Sequence, residues 1–400
     1  MVRMSRIALC LSTMTIAGLL AGCSIPGAPV AGEPDVRKLE VGKYEVDRHA
    51  YDVDPAGHGA VLEGIRMADA VIPSIDIDPS LSHGRTSSVL TTVDDTIGLL
   101  AEVSRPVLQN RKFVTGYVAA GADRADPAGE KLPVQDATAV TTVLLRFPDQ
   151  GAAAAAAREL EDADIGVSPE NQKLSSTKFS DAYLHWRPGV PSVGAFLARG
   201  EFVISLYVQR PKAESADLVS WVDKTLSAEV ALLETFEPTP IAELDELPVD
   251  PEGLLARAVV EDRTDRTPDP LRFAVYGPHR VLQAADDQPT RQRLIQDTGL
   301  DRSAVVDSTL LHRLRDADAA RAFMNGLIDS AGAEYDPIGA PNDVPGAKCL
   351  RLNAAGNKET EYAFSCFVTY KRYVAVVSSD LEPDVRQKVA AQYALLANSL

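Results

Sequence analysis

The sequence predicts an α+β fold in which two related two-layer sandwiches follow each other, each an antiparallel sheet backed by helices. The first observation is a repeat: residues 142–160 and 309–327 align without a gap, 167 residues apart. Such internal similarity indicates that one structural unit occurs twice. The second observation is the order of patterns, because several strand-like runs follow each aligned segment with no helix between them, which favours antiparallel pairing.

The elements of each unit follow from local patterns. Residues 140–147 and 202–208 are short β-branched and aromatic runs, as strands are. Asp149 and Asp316 stand just before alanine-rich segments, where a carboxylate can cap the first backbone amides of a helix. At the same spacing Ala182 falls on Cys349, and each opens a strand. Each half then ends on a helix that contains Ala-Leu-Leu, at residues 231–233 and 394–396.

These patterns divide the chain into five parts. The last of them, residues 253–400, is expected to be a C-terminal α+β domain related to residues 140–236. Proline and acidic residues alternate in the segment that precedes it, which is typical of a semi-stiff linker. The predicted parts are a lipoprotein signal peptide (1–22), a flexible tether (23–35), an N-terminal α+β domain (36–236), an acidic Pro-rich linker (237–252) and the C-terminal domain (253–400).

The first residues indicate export and lipidation. Arg3 and Arg6 form a short basic region, and an apolar run of about fourteen residues follows at 7–20, which is too short to span a bilayer. The run ends in Leu-Ala-Gly-Cys, which matches a bacterial lipobox, so Cys23 is expected to carry diacylglycerol and often a further acyl chain such as palmitate. A signal cut at an Ala-x-Ala site and an uncleaved anchor are the alternatives, but this border lacks that site.

The charge of the chain excludes one class of partner. The formal net charge is −17, and loss of the signal removes two arginines and no acid, which leaves 38 basic and 57 acidic residues, or −19. A surface this acidic repels nucleic acid and anionic membrane faces. We therefore expect no nucleic-acid partner, and contact with the membrane through the N-terminal lipid anchor alone.

The cysteines fit an oxidising compartment. Cys10 leaves with the signal and Cys23 is lipidated, so Cys349 and Cys366 remain. Both lie in strand-like runs separated by a loop rich in Gly and Asn, and antiparallel pairing of the runs would bring the two thiols together. The sequence therefore predicts a disulfide between Cys349 and Cys366.

Three segments resemble a known family. Residues 35–44, 75–79 and 111–121 are similar to segments of an uncharacterised family of actinobacterial lipoproteins, a domain of unknown function. In that family a lipobox precedes an N-terminal domain and a related C-terminal domain. The resemblance covers most of the chain and implies the same address and layout, without an activity. The units also resemble small extracytoplasmic α+β domains of actinobacterial sensor proteins and lipoproteins, and fold does not fix function.

The histidines offer no metal or catalytic pattern. His-x-x-x-His and His-Glu-x-x-His spacings are absent from the sequence. His185 and His312 fall in or beside predicted strands, whereas His58 and His279 each precede a Val-Leu pair and a helical run, so we interpret them as equivalent turn positions. The remaining histidines are His49 and His83.

Other polar residues are weak candidates. Ser192 follows a Gly-x-x spacing that misses the Gly-x-Ser-x-Gly elbow of a hydrolase by one residue, so we interpret it as part of a turn. Asp76 and Asp78, with Asp69 upstream, could ligate a hard cation, but no calcium loop follows them. A basic cluster is interpreted as a helix end and, alternatively, as an anion contact; it comprises Arg105, Arg111 and Lys112.

The sequence therefore predicts a cell-envelope lipoprotein that binds a ligand or an envelope partner through its paired domains and is not an enzyme. It predicts no catalytic residue, no metal ligand and no cofactor, and the ligand site stays unassigned. An envelope lipid, a glycan or a protein could bind in a groove between the domains, where small-molecule sites are frequent. The alternatives are an extracytoplasmic hydrolase with a dispersed active site and an assembly scaffold without a small ligand.

Overall fold

A computed structural model describes residues 34–126, 134–264 and 266–400. The predicted signal peptide, Cys23 and the tether up to residue 33 lie outside these residues. The chain from Asp35 to Leu400 forms one compact unit. Among the described helices, none combines the length and the apolar character that a membrane span requires.

The first half contains a seven-stranded sheet in which all neighbours are antiparallel, with the strand order β1-β2-β3-β7-β6-β5-β4. Its helices and strands are α1 (Gly59–Arg66), α2 (Ser74–Ile77), β1 (His83–Leu90), α3 (Val93–Ile97), α4 (Arg105–Asn110), β2 (Thr115–Ala122), β3 (Ala139–Arg146), α5 (Gln150–Ile165), β4 (Gln172–Leu174), β5 (Tyr183–Trp186), β6 (Ser192–Arg199), β7 (Phe202–Gln209) and α6 (Ser215–Leu233).

The second half repeats this topology, with the order β8-β9-β10-β14-β13-β12-β11. Two antiparallel sheets with packed helices confirm the predicted α+β class. The elements are β8 (Phe273–Tyr276), α7 (Pro278–Gln283), α8 (Gln288–Thr298), β9 (Arg302–Val306), β10 (Thr309–Arg313), α9 (Ala317–Ser330), β11 (Tyr335–Ile338), β12 (Lys348–Leu352), β13 (Phe364–Tyr370), β14 (Tyr373–Ser379) and α10 (Glu382–Ser399).

Strand register gives the correspondence between the halves residue by residue. Thr142 pairs with Leu206 in the first sheet, and Thr309 pairs with Val377 in the second. The aligned residues therefore occupy equivalent places, as the repeat predicts. The correspondence extends beyond the sequence alignment, because β8 and β9 take the places of β1 and β2 at the same side of β10 and β3.

One part of the sequence alignment is wrong by two residues. Cys349 pairs with Cys366, and in the first half it is Leu184 that pairs with the equivalent residue, Ala195. Leu184, not Ala182, is therefore the counterpart of Cys349. Helix α9 has 14 residues and α5 has 16, which accounts for the shift. Since side chains alternate along a strand, a shift of two keeps the same face.

Helices cover both faces of each sheet, which adds a third layer to the predicted two. Leu144 packs with α6 on one face, whereas its neighbours Val143 and Leu145 pack with α5 on the other. In the second half α10 and α9 take these two faces. The predicted caps are confirmed, because the Asp149 carboxylate accepts from the amide of Ala152 and the Asp316 carboxylate from that of Ala319, both at 2.8 Å.

Two segments outside the sheets tie the chain together. Near the start, Tyr44 packs against α10, and its hydroxyl donates to the Asp384 carboxylate at 2.8 Å. The stretch expected to be a linker is also packed, since the Thr239 amide donates to the buried Glu63 carboxylate at 3.1 Å. Further along, the Asp250 carboxylate accepts from the amide of Leu255 at 3.0 Å.

Cys349 and Cys366 lie directly opposite each other on β12 and β13 and form a disulfide, with their Cα atoms 4.1 Å apart. Both side chains are buried on the face that α10 covers. The bond therefore joins two neighbouring strands inside the core.

Replacing both cysteines, Cys349→Ala with Cys366→Ala, is expected to lower the free energy of unfolding by about 3 kcal/mol, because the open chain gains loop entropy when it unfolds. Urea unfolding of the oxidised chain and of the double variant measures this difference. As a control, unfolding is repeated after reduction with a thiol reagent, which should destabilise the natural chain and leave the stability of the variant unchanged. Equal midpoints for the reduced and oxidised natural chain would contradict the disulfide.

Candidate functional site

The two strand histidines, His185 and His312, lie on corresponding faces of two different sheets. His185 on β5 contacts α5, where its Nδ1 is 2.7 Å from the Glu161 carboxylate and its Nε2 is 3.4 Å from that of Asp164. Burial opposes the charged imidazole, but the two carboxylates outweigh it and raise the pKa of His185. This group ties α5 to the sheet edge.

The interpretation of His58 and His279 as equivalent turns is wrong. His58 precedes α1, which has no counterpart in the second half. His279 lies in α7, which follows β8 as α3 follows β1. Its Nδ1 is 3.1 Å from the carbonyl oxygen of Asp69, so it contacts the first half.

The acidic candidates are held by hydrogen bonds to their neighbours. Asp76 accepts from the side-chain amide of Gln292 at 2.7 Å. Asp78 pairs with Lys224 on α6 and accepts from the amide of Ser80. Ser192, interpreted above as a turn residue, is the first residue of β6.

Two of the three basic residues singled out in the first half, Arg105 and Arg111, pair with different carboxylates. Arg105 pairs with Glu102 at 2.6 Å and also with Asp94. Arg111 pairs with Glu159 of α5. Their charge is thereby neutralised locally, which leaves little for an external anion.

A polar cavity of about 920 Å³ lies beside α10. We call it the polar cavity. In it, the buried Lys388 ammonium donates to Ser308 Oγ at 2.6 Å and to the carbonyl oxygen of Ser378 at 3.3 Å. Burial lowers the pKa of Lys388, while Asp384 and Glu261 oppose that effect. A serine next to a lysine is the arrangement of a nucleophile and its base.

A second cavity, of about 510 Å³, lies where the halves meet, between α1, β8 and residues 247–252. We call it the junction cavity. It corresponds in place to the groove expected between the domains. Its arginines are already engaged, since Arg66 pairs with Glu63 and Arg302 with Glu252 at 2.8 Å.

A third cavity, also of about 510 Å³, lies wholly in the second half, between the sheet, α7 and α9. We call it the C-terminal cavity. Val305, Leu310 and Val376 form its floor, with Leu350 and Phe367 beside them. Leu310 is 39% exposed although it stands at the centre of a sheet face. Apolar cavities of this size, with a few polar groups, are the usual form of small-molecule sites.

In the first half, side chains fill the position that corresponds to the C-terminal cavity. By register, Val118 and Val143 are the counterparts of Val305 and Leu310. Val143 is only 3% exposed, because Phe147 and helices α4 and α5 cover this face. The duplicated unit is thus filled in one copy and hollow in the other, which makes the C-terminal cavity a specific feature of the second half.

Polar groups enter the C-terminal cavity where the first half has apolar ones. Ser303 and His312 stand at the positions of Gly116 and Leu145. The His312 Nδ1 and the Ser303 hydroxyl are 2.5 Å apart. Burial and the nearby Arg291 lower the pKa of His312 to about 3, so the imidazole is neutral at physiological pH.

Two arginines also line this cavity. Arg280 on α7 lies over the ring of Tyr276, with its guanidinium carbon 5.6 Å from the ring centroid. Arg291 on α8 lies near His312, and burial lowers its pKa, opposed by Asp286 and Asp287. In the part of the chain that the structure describes, neither guanidinium forms an ion pair with a carboxylate. Sequence reasoning missed both residues, because only the tertiary structure brings α7 and α8 to this face.

Comparisons with known proteins identify the family. The model described as "Domain of unknown function (DUF7373) N-terminal" matches residues 50–249. The model described as "Domain of unknown function (DUF7373) C-terminal" matches residues 254–399. The chain belongs to the DUF7373 family. The expectation of an uncharacterised family with paired domains is confirmed, and the C-terminal cavity lies within the DUF7373 C-terminal domain.

Other comparisons add little to the DUF7373 assignment. The chain has no significant match among curated proteins. Among solved structures it is similar to the extracellular domain of PknH from Mycobacterium tuberculosis, with 8% sequence identity and a TM-score of 0.27. That match covers 41% of this chain and 91% of the PknH domain. A similarity this weak does not indicate a shared function.

Proposed function

We propose that the chain is a lipid-anchored binding protein of the extracytoplasmic membrane face, which holds a small ligand in the C-terminal cavity and performs no catalysis on it. The observation that carries the proposal is the contrast between the halves. Where Val143 is sealed under α5, its counterpart Leu310 stays exposed in a cavity with buried polar groups. An exposed apolar surface of this kind is costly in water unless a ligand covers it.

The address in this proposal rests on the N-terminus. A basic start, an apolar run of about fourteen residues and Leu-Ala-Gly-Cys support cleavage before Cys23 and its acylation. Two or three acyl chains suffice for stable anchoring, since each buried methylene contributes about 0.8 kcal/mol. A disulfide at Cys349 and Cys366 suits the oxidising space outside the membrane.

Cys23→Ala is expected to move the protein from the membrane fraction to the soluble fraction and to abolish labelling by radioactive palmitate, because the acceptor thiol is lost. Fractionation and labelling in the host measure both effects. Cys10→Ala is the matched control, since Cys10 lies inside the signal and should leave anchoring unchanged. A Cys23→Ala chain that is cleaved yet stays with the membrane would contradict lipid anchoring.

The second candidate function is a hydrolase at the polar cavity, favoured by the 2.6 Å contact between Lys388 and Ser308. Two features support a structural role for Lys388 instead. Its ammonium donates to a second acceptor, the Ser378 carbonyl, and Glu261 lies 3.9 Å away, so the group is held by contacts that a base for Ser308 would not need. Covalent reaction of Ser308 with a fluorophosphonate would establish the hydrolase in place of the binding role.

A further inference from the structure

The residues that line the C-terminal cavity indicate the chemistry of its ligand. We infer that it binds an amphiphile whose acyl chain lies on the apolar floor and whose anionic head, a carboxylate or a phosphate, pairs with Arg280 and Arg291. This inference rests on the proposed function and names the class of ligand for the same site.

Arg280 and Arg291 differ from many other arginines of the described chain in their lack of a carboxylate partner. Other arginines with little exposed surface have carboxylate partners, since the buried Arg146 pairs with Glu63 at 2.6 Å and the half-buried Arg313 pairs with Asp301 at 2.9 Å. Arg280 and Arg291 line a cavity without such a pair among the described residues. A guanidinium presents several donors in a fixed fork that fits a carboxylate or a phosphate. An anion in the cavity would supply the missing partner.

The acidic residues of the C-terminal cavity lie at its rim. Two carboxylates line the C-terminal cavity, those of Asp286 and Glu361. Both residues are exposed, and Glu361 accepts from the Tyr335 hydroxyl at 3.0 Å. His312 is buried and neutral. The positive charge inside the cavity therefore comes from the two arginines, while the acids lie at the rim.

The rest of the cavity lining is largely apolar. Val305, Leu310 and Val376 from three adjacent strands form a continuous floor, and Leu327 of α9 lies across from them. A purely ionic ligand would leave this apolar surface in contact with water, and a neutral hydrocarbon would leave both guanidinium groups without an anionic partner. A molecule with an acyl chain and an anionic head satisfies both parts of the cavity.

The test uses the chain that begins at Ser24, purified without detergent, since Asp35 to Leu400 form one compact unit. The probes are dansyl-labelled undecanoic acid and the corresponding neutral alcohol, followed by fluorescence. We expect the acid to bind more tightly than the alcohol. Arg291→Met should weaken the acid roughly tenfold or more, as the loss of a charge-assisted hydrogen bond does, and leave the alcohol unchanged.

Two controls separate the inference from the proposed function. Arg293→Met removes the same charge from an exposed position of α8 and should leave both probes unaffected. Leu310→Trp should fill the cavity and abolish binding of both, while Leu99→Trp, at an equally exposed leucine of the first half, should not. Competition by dodecanoate and by dodecyl phosphate then shows which head binds more tightly.

Equal affinity for acid and alcohol, lost only in Leu310→Trp, would overturn the anionic head and leave the binding function standing. Binding of neither probe by the natural chain would overturn the cavity as a ligand site, and the inference with it. Acid preference that persists in Arg291→Met and in Arg280→Met would show that the charge recognition lies elsewhere.

Discussion

Glu229→Gln is expected to remove the loss of stability that ionisation of Glu229 causes in the natural chain between about pH 5 and pH 8. Glu229 on α6 is fully buried. One oxygen of its carboxyl accepts from the amide of Ile72 at 2.8 Å, and the other has no partner among the described residues. Burial, opposed by the Ile72 amide, raises the pKa of Glu229 from 4.5 to about 8.

The sign of the effect follows from this raised pKa. The folded chain holds a proton on Glu229 that the unfolded chain releases above pH 4.5. The stabilising contribution is therefore complete below pH 4.5 and is lost as the pH rises through about 8. Between pH 4.5 and pH 8 the free energy of unfolding of the natural chain should therefore fall by roughly 2–4 kcal/mol more than that of the variant.

The duplicated fold provides a matched control at Gln392. This residue of α10 corresponds to Glu229, and its side-chain oxygen accepts from the amide of Val259 at 2.8 Å while its nitrogen donates to the carbonyl of Arg257 at 2.8 Å. Gln392→Glu should introduce the pH dependence that Glu229→Gln removes. Urea unfolding at pH 5, 7 and 8 measures both. Parallel pH profiles for the natural chain and Glu229→Gln would contradict a protonated Glu229.

Arg146→Met is expected to destabilise the protein by about 3 kcal/mol, since it leaves buried carboxylate groups with too few partners. Arg146 is 1% exposed at the end of β3. Its guanidinium pairs with the fully buried Glu63 at 2.6 Å and with Glu201, and it donates to the carbonyl oxygen of Thr239. The residue therefore joins α1, the sheet and the segment between the halves.

Arg313 is the counterpart of Arg146 and serves as its control, because Arg313 pairs with Tyr373 in register as Arg146 does with Phe202. Its partners Asp301 and Glu252 are 48% and 33% exposed, so water can solvate both carboxylates when the guanidinium is removed. Arg313→Met should cost about 1 kcal/mol or less. Calorimetric or denaturant unfolding of both variants gives the comparison. Equal losses would show that burial of the network does not determine its contribution.

The sequence was sufficient for the repeat wherever the two halves kept the same kind of residue at the same register. Thr142 and Thr309, with the capping Asp149 and Asp316, are such positions. The sequence did not show that β1 and β2 correspond to β8 and β9, because equivalent positions in these strands carry different kinds of residue. Gly116 and Ser303, for example, occupy the same place in the two sheets. Pairing of the cysteines followed from adjacent strands, which a local pattern reveals.

The candidate site could not be predicted from the sequence, for a physical reason. Its recognition elements come from β9, β10, α7 and α8, and a cavity is a property of what the surrounding side chains fail to fill. His312 was visible as a strand residue, but its meaning depends on Leu145 filling the same place in the first half. Only the comparison of two folded copies shows that difference.

The most direct test of the central claim is native mass spectrometry of the mature protein isolated from the envelope of its own host. We expect one acidic amphiphile bound per chain in the natural protein and in Arg293→Met, and none in Leu310→Trp. Natural protein that carries no small molecule and instead copurifies with a single envelope protein would contradict the binding function and favour a scaffold.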